Sequence, residues 1–279
     1  MDEDAGSMKR IIDSGAGAIV TKSIGLKARE GYPNPTILEL ECGLLNAMGL
    51  PNPGIENFLE EINALKQSKV PIIASIFGSN SKEFVQLAKK MENYGGDAVE
   101  LNLSCPHAKG LGLELGSDPR VVFEITSKVK DSIGIPVFVK LSPNLMNIVE
   151  IAIAAEKGNA DGIVAINTVK AMKIDLDLKM PVLSNKVGGY SGRAVKPIGI
   201  RCVYEIYENI KIPIIGVGGI TNGEDLLEYI MAGASAVQIG SGLYYRELDI
   251  FKKICDETKN WLKNNRYDNI TELVGVAHR

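Results

Sequence analysis

The chain has 279 residues, 45% of them apolar, and its 34 acidic and 31 basic side chains leave a formal charge of −3. That is enough apolar material for one large core, at about the size where α/β barrels fold as a single domain. With no long Lys/Arg block and no basic excess, a nucleic-acid backbone is excluded as a partner.

No stretch approaches the roughly 18 continuous apolar residues of a membrane-spanning helix. Met1 to Arg10 also lacks the basic-then-apolar order of a secretory signal, so a soluble, cytoplasmic protein is expected. Four cysteines, Cys42, Cys105, Cys202 and Cys255, lie far apart with no C-x-x-C pair. This argues against a metal or iron–sulfur site held by this chain alone and for free thiols.

Taken in order, Asp4–Ser14 reads as the helix that would follow a barrel strand, so the first strand of an eight-stranded cylinder is expected ahead of residue 1. Strands are then predicted at Ala18–Lys22, Pro71–Ile76, Ala98–Asn102, Pro136–Leu141, Gly162–Asn167, Pro213–Gly218 and Ala236–Gly240, from short β-branched apolar runs. Between them, helical periodicity marks Ser81–Tyr94, Pro119–Ser132, Met146–Lys157, Pro197–Glu208 and Gly223–Ala232, several opened by Ser, Asp, Pro or Asn. Strand alternating with helix is the rhythm of parallel strands covered on the outside. The expected fold is therefore a TIM (β/α)8 barrel lacking its first strand, a single domain over residues 1–279. Seven strands alone would leave two edges to be covered. The stretches after the first, third and fifth strands are long, and loops after strands are where a barrel keeps its chemistry.

The segment Asn102-Leu103-Ser104-Cys105-Pro106-His107 empties from a strand at that end. Cys105 read alone is a buried small hydrophobe. The glycine-rich 109–116 stretch behind it makes a poor core and a suitable cover, which favours a chemical role. His107 is an alternative base, though a loop histidine after proline is more often merely exposed. Lys22 and Lys140 end strands, where a lysine tip ordinarily reaches solvent. Two converging on one mouth would instead suit an anion or an electron-rich ring. Asn46, Asn102 and Asn167 offer both donors and acceptors, as a planar ring with imide groups requires, although each alone could cap a turn. Gly216-Val217-Gly218-Gly219 and Gly240-Ser241-Gly242 follow the last two strands, the usual phosphate site of this fold. No G-x-G-x-x-G stands in a strand-to-helix setting, so direct binding of a nicotinamide dinucleotide is not expected.

Together with Thr21-Lys22-Ser23, Asn46-Ala47-Met48-Gly49-Leu50, Lys140-Leu141-Ser142-Pro143, Asn167-Thr168, Gly189-Tyr190-Ser191-Gly192 and Lys196-Pro197, these segments resemble the dihydroorotate dehydrogenase family over essentially the whole chain. Cysteine at position 105 is similar to the soluble class 1 enzymes, and Cys-Pro-His-Ala-Lys is most similar to the B-type, NAD-linked catalytic subunit. The resemblance implies a flavoprotein of pyrimidine biosynthesis that oxidises dihydroorotate to orotate, with Cys105 as general base and one FMN as hydride acceptor. It implies substrate contacts from Lys22, Asn46, Ala47, Met48, Gly49, Leu50, Asn102, Asn167 and Thr168. It implies FMN contacts from Lys22, Ser23, Asn102, Lys140, Ile166, Gly192, Gly218, Gly219, Gly240 and Ser241, the last four around the phosphate. It also implies an electron-transfer partner subunit carrying FAD and a [2Fe–2S] cluster, within a homodimer or heterotetramer.

Two positions depart from the family pattern. Ser75 stands where an asparagine would reach FMN, a shorter side chain that would need a bridging water. Arg193 follows Ser191-Gly192 where many relatives have proline. Two other readings stay open on the residues alone: an FMN barrel acting on another dihydropyrimidine, and a flavin-free barrel that binds a sugar phosphate through the late glycine turns.

Overall fold

The computed structural model describes residues 4–66, 68–104 and 115–279. Helix α1 (Ala5–Asp13) leads into strand β1 (Ile19–Val20), the hairpin β2 (Ile37–Leu40) and β3 (Gly43–Asn46), and helix α2 (Leu59–Leu65). Alternating units follow: β4 (Ile72–Ile76), α3 (Ser81–Tyr94), β5 (Ala98–Asn102), α4 (Pro119–Lys130), β6 (Val137–Leu141), α5 (Ile148–Lys157) and β7 (Gly162–Ala165). Four short strands come next, β8 (Val169–Ala171), β9 (Ile174–Asp175), β10 (Met180–Pro181) and β11 (Gly188–Ser191). The chain then closes with α6 (Lys196–Tyr207), β12 (Ile214–Val217), α7 (Gly223–Met231), β13 (Ala236–Gln238), α8 (Gly242–Arg246) and α9 (Ile250–Asn264).

Local chemistry explains the sharpest boundaries. The Asn80 side chain accepts from the Lys82 and Glu83 amides to open α3, and Gly95 closes it in the left-handed region at φ 97°, a conformation that costs glycine little. Between those caps Phe84, Leu87, Ala88 and Met91 recur at three- and four-residue spacing and are all buried, so one stripe faces the sheet. Asp118 caps α4, and Pro119 occupies its first turn, where no intrahelical amide is needed.

The main sheet is parallel, in the order β1-β4-β5-β6-β7-β12-β13, with β1 and β13 at its edges among the described residues. Because side chains alternate along a strand, each strand presents one face to the helices and one to the concave interior. Ile72, Ala74, Ile76, Val99, Leu101, Val137, Val139 and Leu141 form the buried helix-facing layer. Ser75, Glu100 and Asn102 lie on the opposite face, and Glu100 is only 1% exposed. A flat sheet would hold β5 and β13, four places apart, at roughly 19 Å. Instead Gln238 Nε2 on β13 donates to Glu100 Oε2 on β5 at 3.1 Å. The sheet is therefore curled tightly enough for side chains to meet across its hollow, which is the geometry of a barrel wall.

Where long loops were expected after the first and fifth predicted strands, the structure has an antiparallel sheet in the order β2-β3-β11-β8. It carries its own small core of Leu45, Ala47 and Leu183. The predicted strand over Gly162–Asn167 ends at Ala165, so Asn167 and Thr168 lie beyond it on the connection to β8.

Candidate active site

Lys22, Ser23, Asn102, Lys140, Ile166, Asn167, Gly218, Gly219, Gly240 and Ser241 close or follow main-sheet strands, whereas Asn46 to Leu50 and Gly192 lie on or beside the antiparallel sheet. Thr21 is fixed beside β4, its amide donating to Ile73 O at 3.0 Å and its hydroxyl accepting from the Ser75 amide at 3.1 Å. This holds Lys22 and Ser23 at the rim. Asn167 Nδ2 donates to Ser104 Oγ at 2.8 Å, Ser104 Oγ to Asn102 Oδ1 at 2.9 Å, and Asn102 Nδ2 to Ser23 Oγ at 2.9 Å. Ser23 Oγ in turn meets Ser75 Oγ at 2.9 Å, and Ser75 Oγ donates to Glu100 Oε1 at 3.2 Å. A hydroxyl has one proton. Since that of Ser75 goes to Glu100, the proton between the two serines belongs to Ser23. The row therefore runs one way, every donor pointing toward the buried carboxylate.

Lys140 Nζ lies 3.5 Å from Glu100 Oε1 and 3.3 Å from Gln238 Oε1. Its side chain is 18% exposed, against 2% for Glu100, so the ammonium is the more accessible member of the pair. Ser75 is itself buried, its hydroxyl taken by Ser23 and Glu100. Glu100 and Gln238 were not singled out in the sequence. The signal for Glu100 was its place two residues before Asn102 in an otherwise apolar run, which puts both on one strand face.

A second set forms around the late glycines. A Cβ on Gly219 (φ 71°) would stand 2.7 Å from Gly192 O, and one on Gly192 (φ 106°) would stand 2.6 Å from Gly43 Cα. Backbones meet there without side chains, tying the antiparallel sheet to the turn after β12. At Gly240 a Cβ would meet nothing within 4 Å, so the turn after β13 is open on that side. Gly218 is held from beneath by Tyr229, whose hydroxyl donates to Gly218 O at 2.7 Å.

Asn46 sits at the end of β3 and donates to Gly189 O at 3.3 Å. Met48 is exposed, whereas Ala47 and Gly49 are buried. Thr168 accepts from Asn144 Nδ2 through its carbonyl at 3.0 Å, a partner that the sequence reading missed. Ile166 is buried beside the Asn167 connection. Ser241 leads into α8 and Arg193 opens a short 3-10 turn behind Gly192. Cys105 and His107 lie outside the described residues, but the chain is anchored up to Ser104, the residue before Cys105. Of the described cysteines, Cys42 and Cys255 are exposed. Burial pushes the Cys202 thiol up to about 11, which makes it a poor base near neutrality.

These residues suit a flavin mononucleotide. The Lys140 ammonium and the Asn102 and Asn167 amides lie among the strand ends, as a ring with imide edges requires, and glycine turns follow the last two strands for a phosphate. Among the described residues, no helix is long and apolar enough to cross a membrane, and no group of three His, Cys, Asp or Glu could hold a metal ion.

A curled parallel sheet sheathed by helices, with polar side chains gathered at the strand ends and glycine turns after the last two strands, defines a (β/α)-barrel enzyme. The sequence profile of the dihydroorotate dehydrogenase family matches residues 1–262. A protein of Methanocaldococcus jannaschii named dihydroorotate dehydrogenase B (NAD(+)), catalytic subunit, is 54% identical over 284 residues, covering 100% of this chain and 92% of that protein. Proteins of the same name from Thermoplasma volcanium (56% over 277 residues; 99% and 91% covered) and Pyrococcus furiosus (50% over 273 residues; 98% and 90% covered) match similarly. The chain belongs to the dihydroorotate dehydrogenase family and is an oxidoreductase.

Proposed function

We propose that residues 1–279 form one FMN-binding catalytic domain that oxidises dihydroorotate to orotate in the cytoplasm, as a step of pyrimidine biosynthesis. The observation that carries this reading is the one-way donor row from Asn167 through Ser104 and Asn102 to Ser23, at the strand ends of a chain in this family. It aligns amide groups along the rim where a planar pyrimidine would lie, on the segment that runs directly into Cys105.

FMN, when bound, would supply the hydride acceptor facing C6 of dihydroorotate. Lys22, Ser23, Asn102, Lys140, Ile166 and Gly192 would hold it together with Gly218, Gly219, Gly240 and Ser241, the last four around its phosphate. The Lys140 ammonium is suited to the pyrimidine edge of the flavin, where it would favour the negative charge that reduction brings. Cys105 removes the C5 proton as thiolate. Lys22, with the 46–50 segment, Asn102, Asn167 and Thr168, orients the substrate carboxylate and ring.

The name shared by the relatives, B (NAD(+)) catalytic subunit, supports NAD as the final acceptor, reached through a second subunit carrying FAD and [2Fe–2S]. Such an assembly needs apolar contact surface. Ile174 at 42%, Leu178 at 68% and Leu176 at 83% exposure offer it on and beside the β9–β10 hairpin.

The expected protein is yellow after incubation with FMN, and anaerobic dihydroorotate bleaches its flavin band. Cys105→Ala should retain the band while the bleaching rate falls by about 10²–10⁴-fold, the span for loss of a general base. A folded protein that takes up no FMN would overturn the reading. A C105A variant bleaching at the wild-type rate would remove Cys105 from the mechanism.

A further inference from the structure

The geometry points to Glu100 as a positioning residue: its buried carboxylate orients the donor row and holds the Lys140 ammonium, and so sets the reduction potential of the flavin. This rests on the reading that FMN lies over Lys140, and it gives a role to a side chain outside the proposed FMN and substrate contacts.

A carboxylate at 1% exposure is costly to bury unless its oxygens are satisfied. Both oxygens of Glu100 are, by donors from three different strands: Ser75 and Lys140 on Oε1 at 3.2 and 3.5 Å, and Gln238 on Oε2 at 3.1 Å. The carboxylate accepts only, so it fixes the direction of every hydrogen bond in the row that ends on it, from Ser75 back to Asn167. Lys140, for its part, has three N–H donors, of which Glu100 and Gln238 take two among the described residues. The third remains for an acceptor on the open side. The ammonium is thereby held in place, and part of its field is cancelled from below. A flavin above it would feel a lysine offset by a carboxylate, and would be harder to reduce than over a lysine alone.

Glu100→Gln tests this with little change of shape. The new amide oxygen can still accept from Ser75 and Lys140; if the Gln238 amide turns to accept from the new NH2, its oxygen leaves Lys140, which then keeps one of its two partners here. Wild type and variant, each loaded with FMN, are titrated against a reference dye. The variant should show an unaltered flavin content and a midpoint potential raised by at least a tenfold shift in the oxidised-to-reduced ratio, about 30 mV for a two-electron couple.

Gln238→Glu, at a half-buried position on an edge strand, provides the opposite sign should E100Q not fold. The new carboxyl would stand against Glu100 as well as the ammonium, where Gln238 Nε2 now lies 3.1 Å from Glu100 Oε2, and like charges so close share a proton. Q238E and wild type are therefore compared at about pH 9, where the shared proton leaves and the potential should fall by a similar amount. FMN bound with an unchanged potential in both variants, or in Q238E alone if E100Q is unfolded, would overturn the proposal and leave the FMN reading intact. A wild type that binds no FMN would overturn both.

Discussion

Tyr229 shows how one side chain shapes the mouth of the barrel without facing it. Its ring is fully buried, and Gly199 and Gly216 make room for it: a Cβ at either would stand 2.0 or 2.5 Å from its atoms. Its hydroxyl donates to Gly218 O at 2.7 Å and lies 3.2 Å from Val217 O, and burial pushes the phenol far above its ordinary range. The group is therefore a permanent donor that pins the turn assigned to the FMN phosphate. Tyr229→Phe keeps the ring and removes the pin. One buried hydrogen bond is worth about 1 kcal/mol, so the FMN Kd should rise about 3- to 10-fold, read by quenching of flavin fluorescence. An unchanged Kd would mean that the turn holds its shape through Gly192 and Gly219 alone.

At the level of the element, α7 starts on caps that satisfy one another. Asn222 and Asp225 form a reciprocal capping box. Asp225 Oδ2 also accepts from the Thr221 amide and hydroxyl, both at 2.8 Å, while its Oδ1 takes Lys196 Nζ at 2.7 Å. Burial works to raise this carboxyl, and the hydrogen bonds from Lys196 and Thr221 with the lysine charge outweigh it, leaving the group below its ordinary value. A depressed carboxylate stabilises the fold fully above the unfolded pKa, about 3.9, and loses that contribution as pH falls through the lower folded value. Asp225→Asn removes one of the two carboxylates on Lys196 Nζ, Glu228 Oε1 remaining at 2.7 Å, and weakens the bonds from Thr221, so it should cost about 1–2 kcal/mol at pH 7 in denaturant unfolding. The gap between variant and wild type should narrow only below about pH 4. A gap that closes already near pH 6 would assign the effect to another group.

The same level explains what could be read from the sequence. The parallel strands were legible because Ile72–Ile76 and Val137–Leu141 are compact apolar runs with turn residues on both sides. The helices between them announced themselves by Asn80, Asp118 and Asn222. The antiparallel sheet was not legible: its strands span three or four residues, and β2 alternates exposed with half-buried positions, too short a pattern to separate from loop. Helix α9 escaped the sequence reading, although Ile250, Ile254 and Thr258 recur every four residues and are buried. At the rim, Asn102, Asn167 and Lys140 stood out as polar residues closing strands. Glu100 and Gln238 did not, because their meaning depends on a contact across the hollow between residues 138 positions apart.

For the molecule as a whole, that contact bears on how the curled sheet is held. Its two edges, β1 and β13, have five strands between them in the sheet order, and β13 is exposed at Ala236 and half-buried at Val237 and Gln238. The proposed FMN contacts reach Lys22 and Ser23 beyond β1, Asn102 and Lys140 on the middle strands, and Gly240 beyond β13. A single ligand would thus tie both edges together, and only the folded chain offers those groups at one place. At a free concentration about 100 times its Kd, such a ligand adds about 2.7 kcal/mol to stability. At about 2–4 °C for each kcal/mol, the thermal midpoint should rise by about 5–10 °C in excess FMN. Hydrogen exchange should slow most at Ile19–Val20 and Ala236–Gln238, where the tie is made. A midpoint indifferent to FMN, or protection spread evenly over the outer helices, would mean that the cofactor sits elsewhere than across the open rim.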